Sequence, residues 1–339
     1  MNKNVLLKGI MLVCAVVLIA AAVFSVGNLF GFSGLSWANA EKYTVGDAEI
    51  TQPVRNLDIQ WTSGEVNIAY HGESTVTLQE QANKKLSEDQ RMRWWLDGDT
   101  LRVRYDEPRF RLFSFNNPEK KLTVTLPEGA ALLEAEIQAT SGAVNIPAII
   151  ADRLTVHVTS GSVNATAAAR VVSCGVTSGT MSLRLRQDAE DVDVGSTSGS
   201  ILLEAERIQK VKLGSTSGDI LAGVKRAGSF EAQSTSGSVQ AVLGEAAQAE
   251  IGSTSGTVGV KIARIDTLKI GTTSGSVKAW LPAEPGFTAK LNTVSGRVEY
   301  DLPLAKQGDA YVCGDGSGRV SIGTTSGNIT VAEFAEEER

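Results

Sequence analysis

A tripeptide that returns at a nearly constant interval constrains this chain more than any other feature. From Thr140 to Thr273 the interval is 19 residues, except for one step of 18 and one of 20. A fixed period of this length indicates a repeat fold in which each unit stacks on the next. Looser copies occur at Val294-Ser295-Gly296 and Gly316-Ser317-Gly318. Thr-Ser-Gly itself begins at Thr62, Thr140, Thr159, Thr177, Thr197, Thr216, Thr235, Thr254, Thr273 and Thr325.

The residues on both sides of each tripeptide alternate between apolar and polar, which is the period of a β-strand. Each repeat therefore supplies two short strands around a Thr-Ser-Gly corner, and one repeat cannot bury its apolar face alone. We predict an all-β, single-stranded β-solenoid with coils of about 19 residues. The hexapeptide period of left-handed solenoids is missing, which favours a right-handed β-helix. Two of the aligned apolar columns are Ile201, Ile220, Val239, Val258, Val277 and Val194, Leu213, Ala232, Ile251, Ile270.

The corner residues have structural roles in this prediction. Glycine adopts a positive φ where a Cβ atom would clash, so it lets the chain turn between strands. Serine and threonine hydroxyls bond backbone groups that a bend leaves unpaired, and stacking would turn them into polar ladders. We prefer this interpretation to a catalytic use of the serines.

The N-terminal region predicts a membrane anchor. Residues 9–32 form a 24-residue stretch without a charge, which is long enough to span a bilayer. Lys3 and Lys8 precede the stretch and the next basic residue is Lys42, so the N-terminus is expected in the cytoplasm and the rest outside it. The alternative is a cleaved signal peptide, because Ala38-Asn39-Ala40 has the form of a cleavage site.

The expected organisation follows from these two features. Residues 1–32 are the cytoplasmic N-terminus and transmembrane anchor, 33–44 a linker, 45–332 the β-helix and 333–339 an acidic tail. Within the β-helix, 45–130 are irregular first coils and end cover, and 131–332 are regular coils. The irregular part contains a predicted hairpin around Asp97-Gly98 and a strand beginning at Lys121.

Candidate chemistry is sparse, and we expect no catalytic, cofactor-binding or metal-binding residues. The densest acidic group, at 188–193, is interpreted as a solvated turn in preference to a weak cation site. The two histidines, His71 and His157, are too few for zinc, and no Ser-His pairing is expected. Gly314–Gly318 is interpreted as a solenoid corner because the lysine and helix of a phosphate loop are missing. The net charge of −6 argues against nucleic acid.

The cysteines do not indicate a disulfide framework. Cys14 lies in the apolar N-terminal stretch. Cys174 and Cys313 each lie four residues before the serine of a corner tripeptide, in the core column of Val194 and Leu213. We therefore predict that both thiols are buried and free.

One aromatic segment is a candidate contact surface. Phe110, Leu112, Phe113 and Phe115 follow one another closely before the strand at Lys121. They either pack over the open end of the solenoid or form an exposed patch for lipid headgroups, glycan or a protein partner. Open solenoid ends also make self-association possible.

With these residues in view, the chain resembles a bacterial family of β-strand-repeat proteins of unknown function, described as proposed adhesins. The likeness runs from Val45 to Val331 and rests on the serial corners and the closing segment 316–331. The layout is also similar to membrane-anchored members linked to envelope stress in Gram-positive bacteria.

The N-terminal stretch, the repeats and the resemblance together lead us to expect a non-enzymatic cell-surface protein, single-pass in the bacterial membrane, acting as an adhesin or as a wall-associated binding or spacer β-helix. The alternative is a regulatory or accessory envelope protein that contacts a membrane partner. A third hypothesis is a carbohydrate-active β-helix enzyme. Fold likeness does not supply a function by itself.

Overall fold

The computed structural model describes residues 39–106 and 118–334, which fall into two compact units, 39–189 and 190–334. The predicted transmembrane segment lies outside the described residues. Within them, no helix has both the length and the apolar character needed to cross a membrane. Strands dominate both units, and the helical elements of the described residues are two 3₁₀ turns, Ala40–Lys42 and Glu88–Gln90. The described residues are thus all-β, as predicted for the repeat region.

The first unit contains nine strands. In chain order they are β1 (Thr44–Val45), β2 (Ala48–Ile50), β3 (Asn56–His71), β4 (Val76–Ala82), β5 (Arg93–Asp97), β6 (Thr100–Arg104), β7 (Lys120–Pro127), β8 (Ala131–Ile146) and β9 (Ile150–Leu185). The long strands β3, β8 and β9 each bend through at least one Thr-Ser-Gly corner. β3 pairs with β8 and β8 with β9, both in parallel and in register, so that Ser63, Ser141 and Ser160 align. This arrangement confirms the parallel solenoid.

At one end of the first unit, strands that follow β3 in the sequence form an additional coil outside β3. β6 and β7 pair in parallel with the two halves of β3, on the side opposite β8. They form an outer coil, so the first coil in the sequence is the second in space. The predicted hairpin is present, with β5 antiparallel to β6 and Gly98 at φ +64° in its turn. β4 covers β7, and the short strands β1 and β2 pair with β5 and β4.

The second unit contains twelve strands, and its core shows the period most clearly. Ile201, Ile220, Val239 and Val258 stand directly opposite one another on successive parallel strands, and each is buried. The predicted apolar columns are therefore the core. The strands are β10 (Ala189–Ser198), β11 (Ile201–Ser215), β12 (Ile220–Ser234), β13 (Val239–Ser253), β14 (Val258–Ser274), β15 (Val277–Leu281), β16 (Gly286–Ser295), β17 (Val298–Tyr300), β18 (Ala305–Gln307), β19 (Ala310–Gly314), β20 (Gly318–Ser326) and β21 (Ile329–Glu333).

The second unit also buries its terminal coil. β20 and β21 pair in parallel with β14 and β15 on one side and with β16 and β17 on the other. The last coil in the sequence is therefore the last but one in space. Glu333, predicted to begin the acidic tail, is the final residue of β21 and pairs with Leu281.

The interpretation of Gly314–Gly318 as a solenoid corner is wrong. β19 runs antiparallel to β16, and Gly318 already begins β20, so this segment is a tight turn between strands of opposite direction. The Asp315 carboxylate accepts a hydrogen bond from the Ser317 backbone N–H at 2.9 Å, which stabilises the turn. The true corner of this coil is Thr325-Ser326-Gly327, which is aligned with Ser274.

Both predicted buried cysteines are buried and free, but they reach the core by different routes. Cys174 lies in the repeat register, and burial raises the pKa of its thiol to about 12. Cys313 lies on β19 opposite Phe287, while Ile322 occupies the core column that the sequence assigned to Cys313. The misplaced corner explains this difference.

The corner glycines are required mainly by close approach of successive coils. A Cβ atom on Gly237 would lie 2.1 Å from the carbonyl oxygen of Gly218, and one on Gly142 would lie 1.6 Å from that of Gly64. The predicted positive φ occurs at Gly64, Gly142, Gly161, Gly179 and Gly327. Gly218 and Gly237 lie outside the left-handed region, so conformational freedom is not the shared reason.

The polar ladder is built by the residue that precedes the tripeptide, and it joins one coil to the next. Ser253 Oγ donates to the Gly237 carbonyl at 2.8 Å, and Ser234 Oγ donates to the Gly218 carbonyl at 3.2 Å. Thr272, Thr293 and Thr324 repeat the contact. A polar ladder was predicted from the hydroxyls of the tripeptide itself, but the preceding residue forms it, and Ser234, Ser253 and Thr272 are buried there.

Candidate functional site

The candidate site is the base of the segment that carries the predicted contact residues. Phe110, Leu112, Phe113 and Phe115 belong to residues 107–117, which lie outside the described residues. The ends of this segment, Asp106 and Pro118, are described. They belong to the outer coil of the first unit, between β6 and β7.

Side chains tie the two ends of this segment together. The Tyr105 hydroxyl, just before the segment, donates a hydrogen bond to the carbonyl of Pro118, just after it. The Lys120 ammonium in turn donates to the carbonyl of Tyr105. Backbone on one end thus holds side chains of the other, and we call Tyr105, Pro118 and Lys120 the stem clamp.

Lys120 is a buried cation with a buried partner. Its Nζ lies 2.7 Å from Glu80 Oε1, and the two side chains are 0% and 2% exposed. Lys120 also donates to the Gln90 carbonyl at 2.8 Å, and the Met92 N–H donates to Glu80 Oε1 at 2.9 Å. Burial lowers the pKa of Lys120, although its hydrogen bond and attraction to Glu80 oppose this shift. A satisfied buried pair of this kind holds its elements in one arrangement.

Aromatic rings complete the surroundings of Lys120. Nζ lies 3.8 Å from the centre of the Tyr105 ring and 5.0 Å from that of Trp61, within the range of a cation–π contact. The two rings meet edge to face at 5.0 Å, and Trp61 Nε1 donates to the Lys120 carbonyl at 3.3 Å. The stem clamp therefore rests on the core of the first inner coil.

Sequence reasoning missed Lys120, Glu80, Tyr105 and Trp61. One signal was available, because Lys120 shares its strand face with Leu122, Val124 and Leu126, all buried. A lysine on the apolar face of a strand predicts a buried partner. The identity of that partner was not readable, since Glu80 comes from a strand that runs antiparallel to β7.

A charged network adjoins this base. Asp58 accepts from Arg102 at 2.6 Å and from Arg104 at 2.7 Å, and Arg102 also contacts Asp97 at 3.2 Å. Arg104 is 7% exposed on its side chain. Because these charges satisfy one another, the network fastens the β5–β6 hairpin to β3 and leaves no cation here free for a ligand.

The other sequence candidates show structural partners. Asp188, Glu190 and Asp193 are exposed, and Asp191 lies 3.6 Å from Lys210. His71 Nε2 lies 2.8 Å from the Thr75 carbonyl, while burial lowers the pKa of His157 against the opposing charge of Glu136. Across residues 39–106 and 118–334, no group of three or more His, Cys, Asp or Glu side chains could hold a metal ion.

Comparison with known proteins gives one sequence match. The model of the family described as "Toastrack DUF4097" matches residues 54–263 and 244–332. The curated proteins contain no match.

Three solved structures are similar at low identity. A "putative cell adhesion protein" from Clostridium sporogenes is 11% identical, with a TM-score of 0.20, and covers 86% of this chain and 100% of its own. A "putative adhesin" from Bacteroides fragilis is 11% identical, with a TM-score of 0.34 and coverages of 86% and 97%. A "putative lipid binding protein" from Parabacteroides distasonis is 17% identical, with a TM-score of 0.39 and coverages of 84% and 95%. The TM-scores are low, so the family assignment rests on the sequence match.

Proposed function

Because the chain belongs to the Toastrack DUF4097 family, we propose that it is a non-enzymatic binding protein of the bacterial cell surface. In this proposal the solenoid is a rigid support, and residues 107–117 are the contact segment. The family description names no activity, so the proposal depends on the residues of this chain.

The observation that carries the proposal is the stem clamp. A binding segment loses less conformational entropy on contact when its two ends are already held in place. Here Tyr105 and Lys120 hold both ends, and the buried Lys120–Glu80 pair connects them to the core. These buried polar contacts lie at the base of residues 107–117 and therefore support a role in binding for that segment.

The proposed location follows from the N-terminal sequence. The uncharged residues 9–32 would cross the membrane once, with Lys3 and Lys8 on the cytoplasmic side. Both solenoid units would then lie outside the cytoplasm, where a surface partner is accessible.

The proposed partner is cell-wall glycan. Residues 107–117 combine Phe110, Phe113 and Phe115 with Arg109 and Arg111. Aromatic rings offer apolar faces, and arginines bind anionic groups through paired hydrogen bonds. The chain as a whole carries a net charge of −6 and would repel anionic groups of the glycan. The basic and aromatic segment would therefore be the part of the chain that binds them.

The test is a pull-down of the full chain, in mild detergent, with purified cell-wall sacculi. We expect saturable binding that falls at least about tenfold in the double variant Phe110→Ser/Phe113→Ser, since two aromatic contacts are worth about 1.4 kcal/mol or more together. The matched control is Leu221→Ser/Val242→Ser, which removes two exposed apolar side chains from the regular coils, 46% and 48% exposed.

Equal loss in both variants would assign binding to general apolar adhesion. Absence of binding by the unaltered chain would overturn the glycan partner. It would turn attention to the alternative of a regulatory envelope protein, tested by crosslinking residues 107–117 to membrane proteins in cells.

A further inference from the structure

The outer coil of the second unit has an open edge. β16 and β17 pair with β20 and β21 on one side. On the other side, β19 covers only Gly286–Ala289. Residues 290–300 therefore have no strand partner on that side among the described residues. This edge contains no proline, but it carries the charged residues Lys290, Arg297 and Glu299, and charges are one of the devices that keep exposed edges from pairing at random.

Apolar side chains are exposed along the same edge. Val294 is 65% exposed and Tyr300 is 45% exposed. The Tyr300 ring meets that of Tyr311, on β19, at 5.6 Å, so β19 lies beside the open part of the edge without pairing with it. Both unpaired backbone and apolar surface thus occur within residues 290–300.

We propose that this edge binds the same edge of a second copy of the chain, forming a dimer with two-fold symmetry. A two-fold axis through the corner at 294–296 would place β16 of each copy antiparallel to β17 of the other. The interface would then be self-complementary, as closed symmetry requires.

The inward and outward positions of the edge exclude every second register. Leu291 and Val298 stand opposite the buried residues Ile322 and Ile329, so both face the core. Lys290 and Glu299 stand opposite Ser321 and Thr330, on the outward side. Opposite residues in an antiparallel pair share a face, so Leu291 must meet an inward residue and Lys290 an outward one.

The pairing of Leu291 with the second copy's Val298 satisfies this condition. It also sets Lys290 opposite the second copy's Glu299, and by symmetry the reverse, so two ion pairs form per dimer. This ion pair is the last contact of the interface, because the edge of the next residue, Ala289, already pairs with Tyr311 of β19. A shift by one residue would set inward residues opposite outward ones.

The experiment measures the mass of the full chain in detergent micelles by light scattering across a concentration series. We expect a dimer. Lys290→Glu or Glu299→Lys alone creates two like-charge contacts and should raise the dissociation constant about tenfold, and the double reversal should restore it. The matched control is Lys225→Glu, which breaks an exposed ion pair with Glu206 of 2.6 Å within one copy.

A single-copy mass at every concentration would overturn the proposal. So would a dimer whose dissociation constant is the same in both single reversals as in the unaltered chain, because another surface would then hold the copies together. None of these outcomes depends on glycan binding, so this proposal fails or stands separately from the proposed function.

Discussion

At the scale of single residues, the corner glycine is the most constrained position. At Gly142, Gly218 and Gly237, for example, it lies against the carbonyl of the corner glycine in the neighbouring coil, at a distance that leaves no space for a Cβ atom. The neighbouring atoms are backbone and cannot move aside without separating the coils. At Ser234, Ser253 and Thr272, the residue before the tripeptide also donates a hydrogen bond to that carbonyl. One carbonyl thus determines two residue identities in the next coil.

Gly237→Ala should lower the free energy of unfolding by about 2–3 kcal/mol, because the new methyl group overlaps the Gly218 carbonyl and disturbs the bond from Ser234. A shift in the urea midpoint measures this. The control is Gly214→Ala on β11, where nothing lies within 4 Å of the added Cβ, and the change should be neutral or slightly stabilising. Equal effects of the two substitutions would contradict the close-approach argument.

At the scale of elements, the outer coil of the first unit is stabilised by polar contacts that the regular coils do not use. Lys120 on β7, Glu80 on β4 and Tyr105 after β6 bring together segments with different directions. An apolar contact would stabilise several registers of these strands, whereas a hydrogen-bonded charge pair requires one. We infer that this pair specifies how the covering strands dock.

Glu80→Gln should lower the free energy of unfolding by about 3 kcal/mol, because it leaves the Lys120 ammonium buried without a counter-charge. Denaturant unfolding of the full chain gives the value. Glu65→Gln is the matched control, since its partner Lys121 neighbours Lys120 but that pair is about half exposed at 3.6 Å. The control should change stability by no more than about 0.5 kcal/mol. If Glu80→Gln lowered the free energy of unfolding by no more than the control does, the inferred role of the Lys120–Glu80 pair would be wrong.

At the scale of the whole chain, the order of the corners in the sequence differs from the order in which the coils stack in space. Thr62 and Thr140 are 78 residues apart, yet their corners lie in adjacent coils. Thr273 and Thr325 are 52 residues apart, and their corners are also adjacent. In each case the described residues in between form an outer coil and its covering strands. Each unit therefore places a terminal coil of the sequence between two others.

Removal of one whole repeat should preserve the fold. Deleting residues 220–238 takes out 19 residues and brings the corner at Thr216 into register with the corner at Thr254, so β11 can pair with β13 as it paired with β12. We expect an unchanged strand signal in circular dichroism and a cooperative unfolding transition at somewhat lower temperature.

Deleting residues 220–229 instead keeps the alternation of faces but moves the next corner out of line. This shorter deletion should abolish cooperative unfolding. If the two deletions behaved alike, the aligned corners would not be what holds the coils in register.

The sequence by itself determined the architecture of the regular coils. The 19-residue period, the apolar columns and the corner tripeptide all follow from contacts between equivalent residues, so one coil predicts the next. Ile201, Ile220 and Val239 align because each meets its own counterpart. Glu250 and Lys269 also stand opposite each other on adjacent strands, and their charged groups lie 3.6 Å apart.

Only the tertiary structure decided what happens where the repeats stop. At the ends a strand meets a residue that is not its counterpart: Lys120 meets Glu80, and Phe287 meets Cys313 across an antiparallel pair. The 19-residue period does not predict such contacts, because they join segments of different direction and unequal length. The stem clamp and the open edge at 290–300 both arise there. The structure of a regular coil can be predicted from the neighbouring coils because the same contacts repeat. The structure at the end of a stack cannot, because it depends on long-range strand pairings that occur only once.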